Sequence, residues 1–371
     1  MIDDRARRSE TDRLYDDAIV IDTHNDMPSR LLDEQFDPGV RHSPSASHTD
    51  IPRLLEGGIS AVWMAAWVDA AYAVGEPGRS FPRAQRYLDA IHNMVETHRT
   101  SLCLGTRAAD VVRAKREGRV AIYIGVEGGH AIEASLDNLR MLYERGARYL
   151  TLTWNNGNEW AGSSLGSNET SMGGLTDFGR QVIREMNRLG MLVDVSHVSD
   201  ATLADVLATS ASPIIASHSS ARALADHPRN LTDEQLRAIA GRGGVVCVNF
   251  FSRFIDRRFR LAMDEAEREV KALQLPEPER KERMRERIGA IPPTPLSVLL
   301  DHIGRVADVA GIEHVGLGSD FDGVPALPDG IDDVTGVRRV AAGLMERGYA
   351  WSDVARILGG NVLALMQRVI G

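Results

Sequence analysis

The strongest constraint on the fold of this chain is a repeated unit: a short run rich in Val, Ile and Ala that ends in polar residues, followed by a longer stretch of helical periodicity. Eight such runs occur: AIVIDTHNDM from Ala18, AVWMAAW from Ala61, VAIYIGVEG from Val120, ARYLTLTW from Ala147, MLVDVSH from Met191, PIIASHSS from Pro213, GVVCVNF from Gly244 and HVGLGSDFDG from His314. Strands alternating with amphipathic helices are the pattern of parallel strands joined by crossover helices, and eight units close into a (β/α)8 TIM barrel more readily than they form an open sheet. The intervening SLDNLRMLYERG and TDFGRQVIREMNRLG each open on a Ser or Thr able to cap and end near a Gly, as the outer helices of such a barrel should.

Residues 252–293 break this rhythm. Their DRRFRLAMDEAEREVKAL and ERKERMRERI are densely charged, which predicts a helical segment inserted before the last strand, either solvated or at an interface. MIDDRARRSETDRLYDD reads as a lead-in helix, and SPSASHTD and VDAAYAVGEPGRSF as loops over the strand ends. No internal repeat or linker divides the 371 residues, so one α/β barrel domain spanning 1–371 is expected.

A net charge of -9 leaves no basic surface for nucleic acid or an anionic membrane, and a small-molecule substrate is the expected partner. Cys103, after a predicted helix, and Cys247, inside an apolar run, have no second cysteine at metal-ligand spacing and imply no disulfide framework. The opening MIDDRARRSETDR lacks the apolar stretch of a secretory signal, and no run approaches the roughly 18 apolar residues of a membrane span. A cytoplasmic location is therefore the expectation.

Barrel enzymes place their chemistry at the carboxyl ends of the strands, so the polar residues there are the informative ones. The first run ends with His24 and Asp26, two residues apart and on one face if the chain stays extended. Such a pair either shares a metal or makes an ordinary strand-end hydrogen bond. Glu127 follows IYIGV and is either a ligand or a buried ion-pair partner, while Gly125 and Gly128 beside it imply close backbone approach. His197 and His218 end the fifth and sixth runs, and two imidazoles added to His24, Asp26 and Glu127 make a coherent ligand set without thiolate, which suits zinc over softer-site metals. Manganese, cobalt and iron are compatible with the same ligand types. In GLGSDFDG, Asp320 would face the same mouth as a free carboxylate able to move a proton, whereas Asp322, next to Gly323, suits a turn. Asp22 lies on the His24 face, as a carboxylate that orients a ligand or simply as a buried hydrogen-bonded residue.

The ordered segments IDTHNDMP, GVEGGH, RYLTLT, VDVSH, ASHSSARAL, HPRN, TPLSVLLDHI and VGLGSDFDG resemble the membrane dipeptidase (renal dipeptidase) family of metallopeptidases, within the amidohydrolase superfamily, over nearly the whole chain. The resemblance implies two Zn²⁺ per chain, with His24 and Asp26 on one ion, His197 and His218 on the other, Glu127 bridging both and a hydroxide between them as nucleophile. It implies Asp320 as acid and base, Arg229 of HPRN as the partner of the substrate's terminal carboxylate, and a homodimer. It further implies hydrolysis of dipeptides, with tolerance of a C-terminal D-residue.

One position departs from the family. After RYLTLT better-known members carry a histidine that meets the substrate near the scissile carbonyl, and this chain has Trp154. An indole donates one hydrogen bond and carries no charge, so Trp154 is either an apolar wall of the pocket or a weaker donor. That departure keeps two alternatives alongside a dipeptidase: a metal-dependent hydrolase of another small amide or lactone, of the N-acyl amino acid type, and a non-catalytic metal-binding barrel.

Overall fold

The computed structural model describes residues 10–74, 77–166 and 173–371. Nine parallel strands run through them: β1 (Ile21–Asn25), β2 (Ala61–Trp67), β3 (Leu102–Leu104), β4 (Val120–Glu127), β5 (Ala147–Thr151), β6 (Leu192–Asp194), β7 (Ile215–Ala216), β8 (Val245–Asn249) and β9 (Val315–Gly318). The order β2-β1-β9-β8-β7-β6-β5-β4 closes on itself because β2 pairs with β4 from Ala61 opposite Ala121 to Trp67 opposite Glu127. The result is a closed eight-stranded parallel barrel, and each of its strands falls within one of the apolar runs.

β3 was not anticipated from the sequence. It pairs with β4 only over Val120–Ile122, on the edge that β5 takes from Ile124 onward. Since β2 fills the other edge of β4, β3 is an appended ninth strand below β5 and not a barrel stave. Cys103 therefore sits in a strand and not simply after a helix; both cysteines are buried and free.

The barrel interior is filled rather than hollow. Trp63 stacks between Tyr123 and Tyr149, with ring centroids at 5.0 and 4.8 Å. Gly125 makes this possible, because a Cβ there would lie 2.0 Å from the Tyr149 ring. A side chain at 125 would push Tyr149 away from the strand ends, where its hydroxyl is used.

The outer helices begin and end as their sequences dictate. Ser135 accepts from Asn138 to open Leu136–Glu144, and Thr176 accepts from Gly179 to open Asp177–Leu189, which Gly190 closes at φ 75°. The lead-in helix is present over Glu10–Asp17; residues 1–9 of that segment, and 75–76 of the loop after β2, lie outside the described residues. No helix among the described residues is long and apolar enough to cross a membrane.

The charged excursion forms helices Ser252–Ile255, Arg257–Ala272 and Glu277–Gly289. Its outer face carries solvent-exposed ion pairs such as Lys281 with Glu277, which contribute little. Its inner face buries Phe259, Met263 and Ile288 against Phe251 and Val324. Those two contacts belong to the mouth of the barrel, so the excursion is a wall built onto the strand ends.

Candidate active site

Six of the sequence-derived residues meet at the carboxyl ends of five strands. His24 is the penultimate residue of β1, Glu127 ends β4, His197 and His218 follow β6 and β7, and Asp320 follows β9. Asp26 lies just past the end of β1 as the residue before helix Met27–Asp33, and its N–H donates to the Phe321 carbonyl at 2.8 Å, which continues the parallel pairing of Asn25 with Phe321.

Glu127 is the centre of the cluster. Its Oε1 is 2.9 Å from His197 Nε2 and 3.6 Å from His218 Nε2, while Oε2 is 3.5 Å from His24 Nε2. His24 Nε2 is in turn 3.4 Å from Asp26 Oδ2. Candidate ligand atoms of His24, Glu127 and His218, and of His24, Asp26 and Asp320, form two groups sharing His24, each within 4.8 Å.

Neighbouring groups set which nitrogen of each ring faces inward. Tyr149 donates its hydroxyl to the Thr23 carbonyl and so accepts from His24 Nδ1 at 2.9 Å. Ser217 donates to Asp194 Oδ2 at 2.6 Å and accepts from His218 Nδ1 at 2.8 Å. Asn155 Oδ1 accepts from His197 Nδ1 at 3.1 Å. His197 and His218 therefore carry their proton on Nδ1 and aim the Nε2 lone pair into the centre, and His24, donating through Nδ1, points its Nε2 there too, the arrangement of metal-ligating imidazoles.

Two such lone pairs lie 2.9 Å apart, on His197 and His218. Burial, with Arg229 adding repulsion, pulls His197 down to about 4, and burial with His24 and Arg229 pulls His218 well below the usual range, so neither ring favours an added proton. His24 Nε2 is buried without any hydrogen-bond partner. It faces the Asp26 and Glu127 carboxylates at 3.4 and 3.5 Å, and although burial opposes it, Tyr149, Glu127 and Asp26 push His24 well above the ordinary imidazole range.

The carboxylates show the complementary imbalance. Burial pushes Asp26 up to about 7 against the pull of His24, with Glu127 and Asp320 adding repulsion. Glu127 is held well below the carboxylate range: burial opposes this, but His24 and His197 outweigh it. Asp320 Oδ2 is fixed by Asn249 Nδ2 at 2.8 Å. Gly323 closes over the pair, since a Cβ there would lie 2.2 Å from Asp26 Oδ2 and 2.7 Å from Asp320 Oδ1.

A divalent cation fits this donor set. Two ligands on one tetrahedral zinc at 2.0–2.1 Å are separated by about 3.3 Å, and the contacts around Glu127 run from 2.9 to 3.6 Å. The facing lone pairs of His197 and His218, and the carboxylates of Asp26, Glu127 and Asp320 gathered beside them, both favour positive charge between them. The backbone is strained where it delivers two of these side chains: His197 has φ 70° and Asp320 φ 65°, a region non-glycine residues rarely adopt.

The cluster forms the floor of a cavity of about 360 Å³. Asp26, Glu127, His197 and Asp320 line it, and Trp67, Trp154, Phe251 and Phe254 form its apolar sides. Trp154 packs edge-on against Trp67 at 5.0 Å, as an apolar wall would. Arg229 is not among the residues that line this cavity and is 3% exposed. Its Nη2 donates to the His218 carbonyl at 3.1 Å, its guanidinium lies over the Phe254 ring at 5.5 Å, and its Nε has no partner. Burial lowers Arg229 to about 10, offset by Asp320, Glu127 and Asp194.

Several supporting residues gave no sequence signal. Tyr149, Ser217, Asn155 and Asn249 act through partners distant in sequence or through rotamers, which no local pattern encodes. Asp194 accepts from the Ser196 and Ser217 amides and from Ser217 Oγ, anchoring the β6 and β7 tips together. Asp22 takes the Ser319 amide and hydroxyl at 2.8 and 2.6 Å, and so braces the Asp320 turn from within the protein. Asp322 is in the expected turn at φ 64°, and its carboxylate accepts from the His48 amide and Ser47 hydroxyl.

A family model described as membrane dipeptidase (peptidase family M19) matches residues 8–370. Dipeptidase verJ of Clonostachys rogersoniana is 34% identical over 367 residues, covering 96% of this chain and 86% of that protein. Among solved structures, the probable dipeptidase PvdM from Pseudomonas aeruginosa superposes with a TM-score of 0.86 at 25% identity, over 97% of each chain. A metallo peptidase from Rhodobacter sphaeroides, liganded with a phosphinate mimic of the dipeptide L-Ala-D-Ala, superposes with a TM-score of 0.76 at 27% identity, over 95% of this chain and 100% of that one.

Proposed function

The chain belongs to the membrane dipeptidase family of metallopeptidases, and from that premise we propose that it hydrolyses the peptide bond of dipeptides bearing a free C-terminal carboxylate, at a site holding two Zn²⁺. His24 and Asp26 would hold one ion, His197 and His218 the other, and Glu127 would give one oxygen to each. The observation that carries this is the split of Glu127, with Oε1 facing His197 and His218 and Oε2 facing His24. When bound, such ions supply a nucleophilic water at neutral pH and polarise the scissile carbonyl.

The chain's own groups do the rest. Asp320, held through one oxygen by Asn249, takes a proton from the attacking water and delivers it to the departing amine. Arg229 offers a buried cation with an unpartnered Nε to the terminal carboxylate of the substrate, which limits chain length. Trp154 excludes water at the mouth and contributes no charge. Acceptance of a C-terminal D-residue is supported by the L-Ala-D-Ala mimic bound to the Rhodobacter sphaeroides relative.

A panel of L,L and L,D dipeptides, with tetrapeptides and C-terminally amidated dipeptides as controls, tests the reading. Turnover confined to dipeptides with a free carboxylate is expected. Equal turnover of the amides or tetrapeptides would overturn it. The uncharged Trp154 favours one second reading, an N-acyl amino acid hydrolase, which the same panel separates if acylated single amino acids are included.

A further inference from the structure

The walls of the cavity carry information that the metal cluster does not. Its apolar sides are two aromatic pairs rising from different parts of the barrel. Trp67 ends β2 and Trp154 follows β5, and these strands flank β4 on either side. Phe251 and Phe254 follow β8, which lies four strands from β4 in either direction round the barrel and so directly across it. The two pairs therefore face each other over Glu127.

Each pair is held in place. Trp67 and Trp154 meet edge to face at 5.0 Å and 69°, and Phe251 and Phe254 at 4.8 Å and 68°. Phe251 is further fixed by Phe259, Met263 and Ile288, the apolar inner face of the charged excursion, and by Val324 beside it at the barrel mouth. Four aromatic rings around a cavity of about 360 Å³ are more apolar surface than two methyl side chains can cover.

We propose that this site selects dipeptides with large apolar, preferably aromatic, side chains, the N-terminal one against Trp67 and Trp154 and the C-terminal one against Phe251 and Phe254. The assignment of ends rests on the dipeptidase reading above, in which Arg229 takes the terminal carboxylate. Its guanidinium lies over the Phe254 ring, so a carboxylate anchored there sets the adjoining side chain beside Phe251 and Phe254. The amino-terminal residue then points across the barrel to the tryptophans. The excursion at 252–289 becomes a specificity element, since it holds one of the two walls.

The test measures kcat/KM of the zinc-loaded enzyme for Ala-Ala, Phe-Ala, Ala-Phe and Phe-Phe. Covering a phenyl ring is expected to favour each single Phe substrate over Ala-Ala by about tenfold or more, mainly through KM. Trp154→Ala should collapse the Phe-Ala to Ala-Ala ratio toward one and spare the Ala-Phe to Ala-Ala ratio; Phe254→Ala should do the reverse. Ratios near one in the wild type, or ratios that neither variant moves, would overturn the proposal. If the wild type cleaves none of the four, the dipeptidase reading fails, and calorimetric titration of the zinc-loaded protein with the same dipeptides decides the walls separately. Tighter binding of Phe-Ala than Ala-Ala, lost in Trp154→Ala, would uphold the aromatic site; equal or absent binding would overturn it.

Discussion

Nε2 of His197 and Nε2 of His218 lie 2.9 Å apart, and each ring already donates its Nδ1 proton, to Asn155 and to Ser217. Two lone pairs at that distance are stable only with a positive charge beside them. Burial pulls both rings below their ordinary range, which disfavours a proton in that role; a cation held in the proposed metal site would take it.

Tyr149 sets the tautomer of His24 from inside the barrel. Tyr149→Phe keeps the ring stacked on Trp63 and removes only the hydroxyl. A loss of about 10–100-fold in zinc affinity is expected, with an unchanged circular dichroism spectrum, measured by competition with a chromogenic chelator. Unaltered affinity would remove Tyr149 from this role.

Glu127→Gln keeps size and hydrogen-bonding shape but withdraws the one charge that faces both imidazole groups. Both equivalents of zinc should weaken together in a titration. Loss of a single equivalent would show that Glu127 serves one ion only.

Asp320→Asn should retain zinc while kcat falls by about 10²-fold or more, the usual scale of a lost proton shuttle. Asn249→Ala frees the same carboxylate without removing it and should cost less. Because both act on one proton transfer, the double variant should be little worse than Asp320→Asn alone. Additive losses in the double variant would separate the two residues.

His302 reports on stability apart from the site. Its Nδ1 accepts from the Ala221 amide and its Nε2 donates to the Ile255 carbonyl, and burial lowers it to about 4 from an ordinary 6.5. The unfolded chain then binds a proton that the folded chain refuses, so this contribution is full above pH 6.5 and is lost as pH falls through 4. The loss reaches about 3 kcal/mol. Urea unfolding at pH 7 and pH 4.5 should show a smaller difference for His302→Gln than for the wild type; equal differences would dismiss His302 as a cause.

The barrel was legible because its staves are continuous apolar runs, and the chemistry because barrel strands expose their last residues at one end. β3 escaped notice because LCL is too short to show a period and borrows an edge from β4. The positive φ at His197 and Asp320 was hidden because Asp and His adopt it only at particular turns, and no local pattern marks these two. The excursion read as charged and solvated because its few buried residues, Phe259, Met263 and Ile288, are spread among exposed ones; only the packing reveals that they support Phe251.

The central claim is that the strand tips cage two cations, and metal analysis combined with anomalous X-ray diffraction at the zinc edge tests it most directly. Two zinc atoms per chain are predicted, one within bonding distance of His24 and Asp26, one of His197 and His218, and both of Glu127. A purified, zinc-supplemented protein without stoichiometric metal, or with anomalous peaks away from Glu127, would contradict the account.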